Sequence, residues 1–97
     1  MRPEPYTLFA GLLRQLRTDA RARHDQALAI ATDIAALPEE ARALEGLGRC
    51  HLRDGEPSQG AALLGRALVI YQRIGSPNAR RVATTLRDHN LGGFQHA

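Results

Sequence analysis

Cys50 and His51 are adjacent residues whose types could carry chemistry, because a thiolate and an imidazole can bind a metal ion or act as nucleophile and base. Adjacent residues of a helix point about 100° apart, so the two side chains cannot easily bind one ion. No other Cys or His lies three or four residues from either of them, and His24, His89 and His96 are scattered along the chain. We therefore expect no metal site, and we interpret Cys50 and His51 as packing residues.

Other catalytic arrangements cannot be assembled from the sequence either. No set of Ser, His and Asp and no pair of carboxylates can be placed as a catalytic group, and no glycine-rich phosphate loop follows a strand. The glycines Gly46, Gly48, Gly60 and Gly65 are all expected inside helices, where they cannot cradle a phosphate. We expect a protein that is not an enzyme and that uses no cofactor.

A set of four charged residues and one leucine has a spacing better suited to binding. Steps of three and four place them on one face of a helix, and they are Arg42, Glu45, Arg49, Leu52 and Arg53. Guanidinium groups bind carboxylates through paired hydrogen bonds, so this face could take an acidic peptide. The alternative is an ordinary solvated surface, on which Glu45 and Arg49 form an i,i+4 pair that contributes a few tenths of a kcal/mol.

The elements that must position these residues are helices, because the apolar spacing is helical throughout. Leu8, Leu12, Leu13 and Leu16 form one face of a first helix, and Ala27, Leu28, Ala31, Ile34 and Ala35 form one face of a second. The polar stretch RTDARARHDQ lies between them without a Gly or Pro, so the two could be separate or continuous. No strand-like alternation of polar and apolar residues is present.

The later helix boundaries are marked more clearly. Pro38 with two carboxylates after it is typical of a first helical turn, and Asp54-Gly55 ends that helix. The next helix begins near Pro57 and ends at Gly75, and Ser76-Pro77 opens a last one. The predicted inward residues of these two helices are Ala61, Leu64, Ala67, Leu68, Tyr71 and Ile74, followed by Ala79, Val82, Ala83 and Leu86.

Composition sets the class of protein. The 97 residues are enough for one domain, and 43% are hydrophobic while only 4% are aromatic, which favours closely packed helices built from Ala, Leu, Ile and Val. The net charge of +3 comes from arginines interspersed with acidic residues, which is typical of a mixed-charge surface. A single cysteine, no apolar run long enough for a bilayer and no secretory signal lead us to expect a cytoplasmic protein.

The chain also contains an internal repeat. ALAIATDIAALPEEARALEGL at 27–47 aligns with ALVIYQRIGSPNARRVATTL at 67–86 at an offset of 39 to 40 residues. A period of this size with two helices per unit is typical of a helical solenoid.

In these segments the chain resembles the tetratricopeptide repeat family. The matching residues are Leu47-Gly48, Gly55, Gly60, Leu64, Ala67-Leu68 and Pro77, whereas His51 stands where the family usually has a large aromatic residue. The resemblance implies that Gly48, Gly60 and Ala67 lie where helices approach most closely. The fold that it implies is an all-α, antiparallel helix-turn-helix solenoid of about two units and four to five helices. Residues 1–20 would form an N-terminal helix or cap, residues 21–89 the repeat units, and residues 90–97 a frayed tail.

The resemblance further implies a groove lined by the first helix of each unit. Its residues would be Arg42, Glu45, Arg49, Leu52 and Arg53, with Arg81, Thr84 and Asp88 beside them. The expected function is a non-catalytic module that binds a protein or peptide partner. A narrower likeness, to the repeats of large actinobacterial transcriptional regulators, suggests the regulatory part of such a protein. The first helix could pair with a second copy, so we expect a homodimer. A small arginine-rich nucleic-acid-binding protein is the alternative from a different class.

Overall fold

The computed structural model describes the backbone of residues 5–89 and the side chains of residues 10–89. The secondary structure of this part of the chain is all α-helix, with α1 at Pro5–Asp33, α2 at Leu37–Arg53, α3 at Pro57–Arg73 and α4 at Asn78–Asp88, joined by short turns. Each helix packs against the next one in chain order, and the short turns reverse the chain direction. The predicted all-α solenoid architecture is confirmed, with four helices. The side chains of Leu8 and Phe9 and the predicted frayed tail lie outside the described residues.

Helix α1 is continuous over 29 residues, which settles whether the first two predicted helices are separate. The hydroxyl of Thr18 donates a hydrogen bond to the carbonyl oxygen of Arg14, 3.0 Å away in the preceding turn of the same helix. Asp19 likewise accepts a hydrogen bond from Gln15 at 3.2 Å. Arg and Ala are strong helix formers, so a polar stretch without Gly or Pro propagates the helix rather than interrupting it.

The three turns between helices share one geometry and recur at every twentieth residue. A residue with positive φ ends each preceding helix: Ala35 at 54°, Gly55 at 78° and Gly75 at 68°. In each turn the amide after that residue donates to a carbonyl five residues back, as from Glu56 to His51 at 2.8 Å. These are Schellman motifs, which satisfy the last carbonyls of the helix. Gly55 and Gly75 end their helices as predicted, whereas Ala35 takes the same conformation without a glycine.

The core lies between α2, α3 and α4. Its fully buried side chains are Ala41, Leu44, Leu64, Ala67, Tyr71 and Val82. The predicted close approach of α2 and α3 is confirmed. A Cβ added to Gly48 would lie 2.7 Å from Cγ of Leu64, and one added to Gly60 would lie 2.8 Å from Cδ2 of Leu52. Ala67 is also fully buried, so all three predicted small residues lie within the helix stack.

Several predicted inward residues lie outside this core. Helix α1 packs against α2 through His24, Leu28 and Ala31, where a Cβ on Gly46 would overlap with the His24 ring. The other predicted residues of that face are exposed, because neighbouring helix covers only one side of α1: they are Ala27, Ile34 and Ala35. Ile74 is exposed as well, because it lies in the turn after α3. Within residues 5–89, none of the helices has the length and apolar character needed to cross a membrane.

Candidate functional site

The charged site is built around the carboxylate of Glu45, which is 7% exposed in the middle of α2. Arg81 of α4 binds it with two parallel hydrogen bonds, from Nε to Oε2 at 3.0 Å and from Nη2 to Oε1 at 2.8 Å. Arg49, one turn further along α2, donates to Oε2 from Nη2 at 2.8 Å. The hydroxyl of Tyr71 on α3 donates to Oε1 at 2.9 Å. One carboxylate therefore joins α2, α3 and α4.

These contacts set the protonation of the cluster. Burial alone raises the pKa of Glu45, but the hydrogen bonds from Arg81, Arg49 and Tyr71 outweigh it, and the net pKa is lowered below the ordinary 4.5. Burial and the hydrogen bond to Glu45 both raise the pKa of Tyr71 above 10.0. The hydrogen bond with Glu45 raises the pKa of Arg81. At neutral pH the carboxylate is thus charged and the phenol is neutral, and two guanidinium groups leave the cluster with one net positive charge.

The guanidinium groups of this cluster are held in place but stay accessible. The side chains of Arg49 and Arg81 are 42% and 53% exposed. Each is fixed further by a neutral partner: Arg49 donates to Thr85 at 3.3 Å, and Arg81 donates to Asn78 at 2.9 Å. A guanidinium has five N–H donors, so both groups keep outward donors after these contacts.

Two more arginines extend this surface along α2. Arg42 and Arg53 lie seven residues before and four residues after Arg49, which places all three on one side of the helix. Their side chains are 62% and 47% exposed. Arg42 pairs with Glu39 at 2.9 Å, and Arg53 contacts the Cys50 sulfur at 3.4 Å. We call Arg42, Arg49, Arg53 and Arg81 the arginine ridge.

The other residues predicted for the groove are placed differently. Leu52 contacts Gly60 and packs against the core between α2 and α3, rather than on the ridge. Thr84 accepts a hydrogen bond from Arg87 at 3.5 Å, and Asp88 is exposed at the end of α4, 4.0 Å from Arg87. Of the eight predicted residues, the structure joins Glu45, Arg49 and Arg81 in one contact network.

Tyr71 and Thr85 belong to the site but were not among its predicted residues. Tyr71 is one of the predicted inward residues, and its ring is buried while its hydroxyl reaches Glu45. A signal for this contact was available in the sequence. A buried tyrosine hydroxyl needs a hydrogen-bond partner, and the neighbouring helix carries a carboxylate near its middle. Thr85, rather than Thr84, faces Arg49 because it lies one turn after Arg81 on α4.

A second polar cluster ties α1 to the turn between α2 and α3. Arg21 donates to Asp54 at 3.1 Å and lies 3.5 Å from Glu56. His51 is partly buried beside them, with Nδ1 2.5 Å from Glu56 and Nε2 3.5 Å from Arg21. Cys50 is buried, in keeping with its interpretation as a packing residue. Among the residues that the structure describes, no group of three His, Cys, Asp or Glu side chains is placed to hold a metal ion.

No family model, no curated protein and no solved structure matches this chain.

Proposed function

We propose that the chain is a non-catalytic helical-repeat module that binds an acidic segment of a partner protein on the arginine ridge. The observation that carries this proposal is that two arginines share the carboxylate of Glu45. It holds Arg49 and Arg81 from two different helices in fixed orientations, while about half of each side chain stays exposed. Guanidinium groups that are already ordered lose less conformational entropy when a carboxylate binds them.

The charge balance supports an anionic ligand. The buried carboxylate neutralises one of the two guanidinium groups, and Arg53 adds a further cation on the same side of α2. Bidentate contacts to Asp or Glu side chains of a peptide fit this arrangement. The sequence likeness to the repeat segments of bacterial transcriptional regulators supports a regulatory protein partner.

The competing proposal, direct binding of nucleic acid, has less support from the ion pairs. Arg21, Arg42 and Arg49 each lie within 3.1 Å of a carboxylate oxygen of the same chain. A surface that binds nucleic acid must neutralise many phosphates, and arginines that are already paired leave few cations for that, whereas a short segment needs only the few that the ridge provides. The ridge is suited to a short anionic segment rather than to a long polyanion.

Fluorescence anisotropy with three labelled probes tests the proposal: a Glu-rich peptide, a Lys-rich peptide of the same length, and a DNA duplex. We expect saturable binding of the Glu-rich peptide alone. Replacing Arg42→Glu together with Arg53→Glu should weaken it by roughly tenfold or more, which corresponds to about 1.4 kcal/mol. Both side chains lie outside the Glu45 cluster, so circular dichroism should show an unchanged fold.

The matched control makes the same change of charge on α3, where Arg66 and Arg73 are exposed. Arg66→Glu with Arg73→Glu should retain most of the affinity. An equal loss of peptide affinity in both double variants would indicate only general electrostatic attraction and would contradict binding at the arginine ridge. Tighter binding to the duplex, with affinity falling steeply as salt is raised, would favour the nucleic-acid alternative.

A further inference from the structure

The N-terminal half of α1 extends beyond the rest of the helix stack. Arg21 meets Asp54 just after the end of α2, and every side chain from residue 10 to residue 19 is exposed. These ten residues correspond to about 15 Å of helix. A helical segment of this length is only marginally stable in water unless another surface packs against it.

An apolar seam runs along α1 and continues past this extended half. Its positions alternate steps of three and four residues, which is the a/d pattern of a coiled coil, and they are Leu13, Leu16, Ala20, Arg23, Ala27, Ile30 and Ile34. Leu16 and Ile30 are each 55% exposed, and Ile34 is 67% exposed. Ala27 directly precedes Leu28, and Ile30 directly precedes Ala31. Because Leu28 and Ala31 face α2, the seam lies about 100° around the helix from the side that faces α2.

We propose that this seam packs against the α1 helix of a second copy of the chain, in antiparallel orientation. The two-fold axis would pass between Arg21 and Ala22. Leu13 then faces Ile30 of the second copy, and Leu16 faces Ala27 of the second copy. In this register every a position meets a d position, as antiparallel two-helix packing requires.

The charges on α1 select the second copy and the orientation. In the antiparallel register Arg23 faces Ala20 of the second copy, whose small side chain leaves room for the guanidinium. Asp19 of the second copy is the next residue along, so Arg23 and Asp19 have opposite charges side by side. The two-fold axis repeats the pair. A parallel arrangement would instead place the two Arg23 side chains together, where like charges repel.

This inference goes beyond peptide binding, because none of the seam residues belongs to the arginine ridge. It also gives a register and an orientation to the homodimer that is expected from the sequence. Pairing would cover the extended half of each α1 with the half of the other helix that is anchored to α2. Both marginal segments would be stabilised at once.

Sedimentation equilibrium of the full chain over micromolar to submillimolar concentrations gives the first test. A monomer has a mass of 10.6 kDa, and we expect the mass to rise to twice this value. Leu16→Glu with Ile30→Glu should abolish the rise while helicity of the stack is kept, because both side chains are exposed in the single chain. Val69→Glu changes a 62% exposed residue of α3 and should leave the dimer intact.

The register is tested by charge exchange and by cross-linking. Arg23→Asp should weaken the dimer, and adding Asp19→Arg should restore it. An equimolar mixture of Leu16→Cys and Ala27→Cys chains should form mostly mixed disulfides on mild oxidation, because these positions face each other. Cys50 is buried and should not compete.

A monomer at every concentration, failure of the exchange to restore pairing, or predominant cross-linking of Leu16→Cys to itself would each overturn the proposal. A monomer that still binds the Glu-rich peptide would overturn the seam alone and leave the ridge proposal standing.

Discussion

Gly48 and Gly60 face each other across the contact between α2 and α3. A Cβ on Gly48 would lie 3.1 Å from the carbonyl oxygen of Gly60, and a Cβ on Gly60 would lie 3.0 Å from that of Gly48. Each glycine thus makes room for the backbone of the other. The pair sets how closely the two helices of the hairpin can approach.

Gly48→Ala should therefore destabilise the protein even though Ala is the better helix former. Helix propensity favours Ala by about 1 kcal/mol, but overpacking against Leu64 and the Gly60 backbone costs about 1–3 kcal/mol. We expect a net loss on the order of 1 kcal/mol, measured by urea denaturation.

Gly65→Ala is the matched control for this prediction. Gly65 also lies within α3, but a Cβ there would meet nothing within 4 Å. The variant should gain about 0.5–1 kcal/mol of stability from propensity alone. Stabilisation by both substitutions would show that the glycine pair does not limit the approach of the helices.

Ala35→Gly should stabilise the turn between α1 and α2. Ala35 has a φ of 54°, in the left-handed region that costs an L-residue with a Cβ about 1–2 kcal/mol. Glycine removes that strain but adds entropy to the unfolded chain, so the expected gain is about 0.5–1 kcal/mol. Thermal denaturation can measure it. Gly55→Ala, at the equivalent turn, should have the opposite sign, and a gain in stability from that variant would be inconsistent with this account.

Substitutions in the Glu45 cluster should show how much its contacts contribute to the free energy of unfolding. Tyr71→Phe leaves the carboxylate with both arginines, so the loss should be about 1 kcal/mol. Glu45→Gln removes the charge that Arg49 and Arg81 share, but those side chains are about half exposed and water can solvate them. The expected loss is therefore about 1–3 kcal/mol rather than the larger penalty of a stranded buried charge.

The pH dependence of stability should follow from the same cluster. The pKa of Glu45 is lower in the folded state than its ordinary 4.5, so its contribution is present above that value and is lost as the pH falls from 4.5 through the folded pKa. The pKa of Tyr71 is raised, so its contribution is lost as the pH rises above 10.0.

Denaturation curves of the parent chain and the variants, compared pH by pH, isolate these contributions. The difference between the parent and Glu45→Gln should shrink in acid, and the difference between the parent and Tyr71→Phe should shrink in alkali. A difference that is constant across either range would contradict the assigned protonation.

The sequence predicts most of the fold because the helix boundaries depend on local chemistry. Pro57 acts through its fixed φ, and Gly55 and Gly75 act through the positive φ that a residue without a Cβ adopts freely; the structure begins or ends helices at or beside each of them. The turn at Ala35 has no such residue, although Ala35 takes the same left-handed conformation. The end of α1 therefore carries no glycine signal in the sequence.

The site was predicted less completely, because its central contacts join distant parts of the chain. Helical spacing brought Arg49 to Glu45, and the pair is present as expected. The spacing could not show that Glu45 is buried, since Tyr71 and Arg81 reach it from two other helices. The sequence left open whether this charged face binds a partner or is an ordinary solvated surface, and neither reading predicts that its central carboxylate lies inside the helix stack.

The three-way attachment of Glu45 has a consequence for the last helix. Val82 is the one residue of α4 that is fully buried. The contact between Arg81 and Glu45 therefore provides a large part of the attachment of α4 to the other helices. Among α2, α3 and α4, opening of α4 should thus need the least free energy, and its amides should exchange with deuterium before those of the other two helices. An anion that bridges Arg49 and Arg81 would add a further link between α2 and α4. Ligand binding should therefore increase the protection of the α4 amides from deuterium exchange.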